Sequence, residues 1–418
     1  MKSYKNRLSG ILLIVFAVLH IELQAQVPPG ESFPMWQEGC LDIHHINTGK
    51  GDATFLILPD GTTMIIDAGE HFRPPGPRET PPRPDGSRSP GEWIARYIRH
   101  MLQASDDIKI DYVMVTHFDT DHMGGYHDEL PQSNLGPYRL SGITDVGNRI
   151  LFGKVVDRGW PGYDWPRPLT HEHVANYRSF LEWQIANKGM KVERFIPGSN
   201  EQFKLVHQPE RYPGFEIRNI VANGEVWTGV GNNTRHHFPD ISTLTDGLLP
   251  TENMSSAAIR LSYGAFDYFT GGDLIGVPPA GSPEWMDIET PVALSVGPVD
   301  VHVLNHHGFI DAGNAFFIQT LQPRVHIIQS WVAAHPAHST LSRMMSTRLY
   351  PGPRDVFMTN IKEETRIVIG SSIDRLKSQQ GHIVIRVVEG GNRYWIYILD
   401  DASESFQVKN VFGPYESR

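Results

Sequence analysis

Residues 111–125 read DYVMVTHFDTDHMGG. Tyr112-Val113-Met114-Val115 is a short apolar run with β-branched residues, and it reads as a buried strand. The run breaks into His117, Asp119, Asp121 and His122, four metal-ligating side chains within six residues, with Gly124-Gly125 directly after them. Imidazoles and carboxylates packed this closely repel or desolvate one another unless a cation compensates them. An open catalytic ion takes about three protein ligands, so the set reads as serving a pair of ions. His117 and Asp119 are assigned to one, Asp121 and His122 to the other. The alternative is a polar loop whose acids cap the next helix. Its place at the carboxyl end of a buried strand favours the metal reading, because α/β ligand sites gather there.

Working outward, residues 41–67 predict a β-meander, with strands at 41–47, 53–58 and 63–67 and a Pro59-Asp60-Gly61 turn. Asp52 and Asp67 close its loops and are placed to orient metal ligands from behind. Residues 70–90 form a Pro-, Arg- and Gly-rich loop, and 91–104 regain helical spacing, with Trp93, Ile94, Tyr97, Ile98 and Met101 on one face. Beyond the central loop, 126–250 is hard to read. A helix is expected at 172–187, with Tyr177, Phe180, Leu181 and Ile185 inward, preceded by two surface histidines, His171 and His173. The run Gly231–His237 reads equally as a substrate lid or a loose surface loop. Order returns in a hairpin, 255–261 and 266–270, that ends in Gly271-Gly272-Asp273, where an acid after two glycines can approach a metal closely. A strand at 299–304 ends in Asn305-His306-His307-Gly308, and one histidine of the pair is a ligand candidate that spacing leaves open. A strand at 325–329 leads to His335 and a helix at 339–349, and strands at 356–359, 382–388 and 393–399 close the reading.

The amino terminus has the layout of a secretory signal: Lys2, Lys5 and Arg7, an apolar Leu8–Leu19, then Ala25 before Gln26. The expected organisation is therefore a signal at 1–25, a hydrolase domain at 40–400 with an insertion at about 126–250, and a tail at 401–418. The product is expected to be periplasmic or secreted, with no transmembrane domain after cleavage. Losing three bases and one acid (Glu22) takes the formal charge from −10 to −12. Such a surface disfavours passive nucleic-acid binding, which depends on Lys and Arg neutralising phosphates. It leaves room for a nuclease whose ions supply local positive charge. The single Cys40 forms no intramolecular disulfide and is read as a packed residue beside the first strand.

Taken together, INTGKGDATFLILPDGTTMIIDAG, VTHFDTDHMGG, SSAAIRLSYGAFDYFTGGD, VDVHVLNHHG and the segment from His335 resemble the metallo-β-lactamase superfamily. Within it they are most similar to the extracytoplasmic hydrolase domain of the ComEC/Rec2 competence family. The resemblance implies a mixed α/β fold, an αββα sandwich, with a two-metal site along one edge. It matches His117 and Asp119 to the first ion, Asp121 and His122 to the second, Asp273 to the bridging carboxylate, and His306 or His307 to the last histidine. Two departures stand out. Nothing in the sequence can form the competence proteins' membrane channel. Where many members place a histidine, this chain has Glu252-Asn253-Met254. A partly open, carboxylate-bearing site of this kind suits Mn²⁺ as well as Zn²⁺.

The expected reaction is hydrolysis by a water that two divalent ions activate, on a small-molecule or nucleic-acid phosphodiester. Asp119 or Asp121 relays protons, and His335 contacts the substrate anion or protonates the leaving group. The alternatives are hydrolysis of a lactone, β-lactam or other acyl ester on the same metals, and a metal-stabilised binding protein without turnover.

Overall fold

The computed structural model describes residues 27–71, 78–103 and 108–418. The segment read as an export signal lies outside them. Among the described residues, two sheets face each other and helices cover both outer faces.

The first sheet starts from the expected meander. Strands β1 (Leu41–His45), β2 (Ala53–Ile57) and β3 (Thr63–Ala68) pair antiparallel, and every residue in them is buried. β4 (Lys109–Val115), β5 (Leu151–Asp157) and β6 (Lys191–Arg194) continue it in parallel from β3. On the other flank, β1 pairs with β15 (His382–Val387), then β16 (Arg393–Leu399) and β17 (Val408–Glu416). The second sheet runs β14-β13-β12-β11-β10-β7-β8-β9. Its parallel half comprises β11 (Phe266–Thr270), β12 (Val301–Val303), β13 (Val325–Ile328) and β14 (Asp355–Met358). Its antiparallel half comprises β7 (Phe215–Ala222), β8 (Glu225–Trp227), β9 (Thr234–His236) and β10 (Ala258–Tyr263).

Between the sheets lies an apolar layer that includes Ile43, Leu56, Met114, Leu261, Tyr268 and Ile396. Strands buried on both faces read as continuous apolar runs, which is why the meander was legible. Helix α1 (Pro90–Leu102) covers the outer side of the first sheet. Ser89 caps it by accepting from the Glu92 N–H, Pro90 opens it, and the predicted stripe from Trp93 to Met101 is buried. Cys40 is packed, and burial pushes its thiol up to about 11, out of reach of nucleophilic chemistry at neutral pH.

Several expectations are corrected. The 126–250 region is not an insertion beside the fold, since β5 and β6 extend one sheet and β7–β9 the other. Part of it escaped reading because β6 (Lys-Val-Glu-Arg) and β9 (Thr-Arg-His) are short and polar. The 401–418 tail likewise supplies edge strand β17. The run Gly231–His237 is neither lid nor loose loop, because β9 within it pairs with β8. The helix Glu172–Lys188 buries Tyr177, Phe180 and Leu181 but leaves Ile185 exposed. Among the described residues no helix is long and apolar enough to cross a membrane.

Candidate metal centre

The parallel halves of both sheets open their carboxyl ends onto one edge. Thr116 to His122 follow β4, Asp273 follows β11, the His306-His307 pair follows β12, and Gln329 to His335 follow β13. Backbone bonds tie these loops together. The Ala257 N–H donates to Thr116 O at 2.8 Å, the His306 N–H to Gly272 O at 3.0 Å, and the Asp52 N–H to Asp121 O at 2.8 Å. Gly69 is needed for the last approach, because a Cβ there would lie 1.8 Å from Asp121 O. Gly272, at φ +53°, lets the β11 turn lie against Thr116, whose Oγ1 would be 2.8 Å from an added Cβ. His306 and His307 both adopt left-handed backbone, φ +45° and +51°, which is costly for residues with a Cβ and concentrates at functional sites.

Four histidines converge on the Asp273 carboxylate through Nε2. His122 lies 3.1 Å from Oδ1; His307, His117 and His306 lie 3.6, 3.7 and 3.8 Å from Oδ2. Each ring is held from behind at Nδ1. Asp67 Oδ2 is 2.8 Å from His122 Nδ1, Asp311 Oδ1 is 2.7 Å from His306 Nδ1, and Thr116 Oγ1 is 3.1 Å from His117 Nδ1. His307 Nδ1 has Gln329 O at 3.0 Å and Asp52 Oδ1 at 3.1 Å. Occupying Nδ1 fixes the tautomer and leaves the Nε2 lone pair facing inward, the arrangement that outer hydrogen bonds impose on metal-binding histidines.

Asp121, His122, Asp273 and His307 place one ligand atom each within 4.8 Å of one another, a group able to hold one ion. His117 and Asp119 face each other across 3.7 Å, and His117 Nε2 lies 3.7 Å from Asp273 Oδ2. His306 Nε2 stands 3.2 Å from the Asn253 side-chain amide, which comes from the segment that lacks the expected histidine. Both histidines of the 306–307 pair therefore reach the centre. The donor set of imidazole and carboxylate suits a divalent first-row ion. The His117 Nε2 is buried without a hydrogen-bond partner, as a ligand atom awaiting a cation would be.

Electrostatics point the same way. Burial works against ionising Asp273, but His122, His307 and His306 outweigh it and hold the carboxyl well below its usual range. Burial also opposes protonation of His122 and His307; Asp273 with Asp67 for the first, and Asp52 with Asp273 for the second, raise both. These carboxylates demand positive charge, and a bound cation would displace the protons.

Asp119 is the exposed carboxylate of the set, its side chain 45% accessible. His335 departs from expectation. It is buried and stacks on the His307 ring at 4.5 Å and 16°, with its basicity suppressed by burial and then by His307. It lies against the ring of a candidate ligand. Reading the sequence also missed Asp311, Gln329, Arg158 and His173. Arg158 and Glu252 form an ion pair, and Glu252 Oε1 accepts the Phe118 N–H at 2.7 Å, pinning the residue between His117 and Asp119. His173 is half-buried, and its Nε2 lies 2.9 Å from Phe118 O.

Residues 48–249 match the metallo-beta-lactamase superfamily model. The two-sheet mixed α/β architecture is consistent with the metallo-β-lactamase fold, and it continues beyond the matched segment to supply Asp273, His306 and His307. No curated protein matches the chain.

Proposed function

We propose that this protein is an exported metal-dependent hydrolase of phosphodiesters, similar to the ComEC/Rec2 extracytoplasmic hydrolase domain. The observation that carries the reading is the set of four Nδ1-anchored histidines whose Nε2 atoms lie within 3.8 Å of the Asp273 carboxylate. His117, Asp119, Asp121, His122, Asp273, His306 and His307 would hold two divalent ions, Zn²⁺ or Mn²⁺. Such ions supply Lewis acidity toward the phosphoryl oxygens and make water a nucleophile at neutral pH.

The chain's own groups then divide the work. Asp67, Asp52, Asp311 and Thr116 keep the imidazoles oriented without reorganisation. Asp119 has solvent access beside the centre and accepts the proton of the attacking water. The water oxygen bonds to phosphorus, the ester oxygen leaves, and that oxygen takes up a proton.

The test is a metal-by-substrate screen of mature protein loaded with Mn²⁺ or Zn²⁺. Hydrolysis of bis(p-nitrophenyl) phosphate, abolished by chelation, is expected. Turnover of aryl esters or lactones without phosphodiester cleavage would reassign the site to acyl transfer, and full metal occupancy without turnover on either would make it a binding protein. Export is checked by sequencing the mature amino terminus, expected near Gln26.

A further inference from the structure

We propose that the cleft beside Asp119 is a subsite for a second phosphate of the substrate, carried one nucleoside-sized unit away from the scissile diester, with Arg167 as its counter-ion. The inference rests on the phosphodiester reading above. The cleft has a volume of about 520 Å³, and its lining includes Phe118, Asp119, Arg167, His171, His173 and Glu252. It is thus walled by the ligand loop itself, and its size suits one nucleoside-like group. A larger cavity of about 760 Å³, around Trp165, Asn223 and Phe238, includes none of the candidate ligands.

The charges in the cleft are unevenly committed. Glu252 is neutralised by Arg158, whose Nε lies 2.8 Å from Oε1. Asp119 is turned toward His117. Arg167 is exposed, has no ion pair or hydrogen bond among the described residues, and is the only Lys or Arg among the residues that line the cleft. A guanidinium is the side chain best shaped for a phosphate, offering two parallel N–H donors. The flanking Pro166 and Pro168 fix their own φ and restrict Arg167, so little backbone freedom is lost when an anion is held. In the same cleft, the His171 and His173 rings stack at 5.4 Å and 11°, and His173 is tethered to Phe118 O. That flat wall is attached to the ligand loop and gives a sugar or base a surface to lie on.

The test compares thymidine 5′-(p-nitrophenyl phosphate) with the same ester bearing a 3′-phosphate, both read by p-nitrophenol release from metal-loaded protein. Wild type should favour the 3′-phosphorylated ester. In Arg167→Ala, kcat/KM for that ester should fall about 10–100-fold, mainly through KM, as expected for a charge-assisted pair. The ester without the 3′-phosphate should lose less than threefold. Equal losses on both esters, or no loss on either, overturn the subsite. If wild type cleaves neither ester nor bis(p-nitrophenyl) phosphate, the phosphodiester reading is what fails. Binding of thymidine 3′,5′-bisphosphate to metal-free protein then decides the anion cleft. A tenfold or greater weakening in Arg167→Ala supports it, and equal affinities overturn it.

Discussion

The Arg158–Glu252 pair should carry an unequal share of stability, and Glu252→Ala is the revealing substitution. The Arg158 side chain is 1% exposed and that of Glu252 is 21% exposed. Removing Glu252 leaves the guanidinium with Asn223 Oδ1 at 2.9 Å and Trp165 O at 3.3 Å, both neutral. It also strips the Phe118 N–H of its acceptor. Deleting one partner of a buried pair costs about 3–5 kcal/mol. Water reaching the vacated Glu252 position should hold the cost near the lower end, about 3 kcal/mol. Arg158→Met should cost less, roughly 1–2 kcal/mol, because Glu252 can turn toward solvent and still hold Phe118. In the double variant the orphaned charge is gone, so its cost should fall below the sum of the single costs by at least about 1 kcal/mol. Urea unfolding at pH 7 on metal-free protein reads all three. A Glu252→Ala cost under about 1 kcal/mol, or strict additivity, would refute the clamp. Metal affinity supplies a second readout: Phe118 lies between His117 and Asp119, so Glu252→Ala should also weaken metal binding.

Asp273→Asn should lower metal content and abolish turnover, since the four converging imidazoles lose their shared negative group; full occupancy by elemental analysis with normal turnover would falsify its central position. His335→Ala should cost about 1–3 kcal/mol in urea unfolding, with His335→Phe recovering much of it through the stacked contact; lost turnover at unchanged stability would instead return His335 to a substrate-contacting role. Glu289 is fully buried, and burial raises its carboxyl to about 7 despite donors from Asn314, Asn305 and Gly313. The folded state thus holds its proton more tightly than the unfolded chain, so this group's contribution to stability falls as pH rises from about 4.5 to about 7. Glu289→Gln should gain on wild type across that window by up to about 3 kcal/mol, measured by unfolding at pH 5 and pH 8; a constant difference would show that Glu289 does not titrate there.

The central loop and the meander were legible because their signals are local. His117, Asp119, Asp121 and His122 crowd into six residues, and β1–β3 are apolar on both faces. Asp273 and the His306-His307 pair were legible as strand ends, yet the roles of the two histidines were not. Their backbone conformations, φ +45° and +51°, turn both rings inward where a regular turn would part them. What sequence did not show depends on distance along the chain. Arg158 meets Glu252 across 94 positions, and Asp311, though five positions from His306, carries no local sign that its carboxylate will hold that ring. The burial of His335 against His307 was not legible, because a histidine before a helix carries no sign of whether it faces solvent or a neighbouring ring.

The same division separates chemistry from selection. The ligand candidates stand at strand ends of two sheets whose pairing fixes their spacing, and their Nδ1 partners come from meander, turn and loop alike. The cleft is built differently. Pro166-Arg167-Pro168 and His171 belong to the connection between β5 and the helix Glu172–Lys188, and Phe118, Asp119, Glu252 and the His173–Phe118 contact join it to the centre. A connection of this kind can change its side chains without moving a strand, whereas the ligand loop cannot shift without disturbing β4 and the Asp52–Asp121 backbone bond. On the proposed function, the rigid part of the structure would position the metals, and the adaptable part, centred on Arg167, would select which phosphodiester is presented to them.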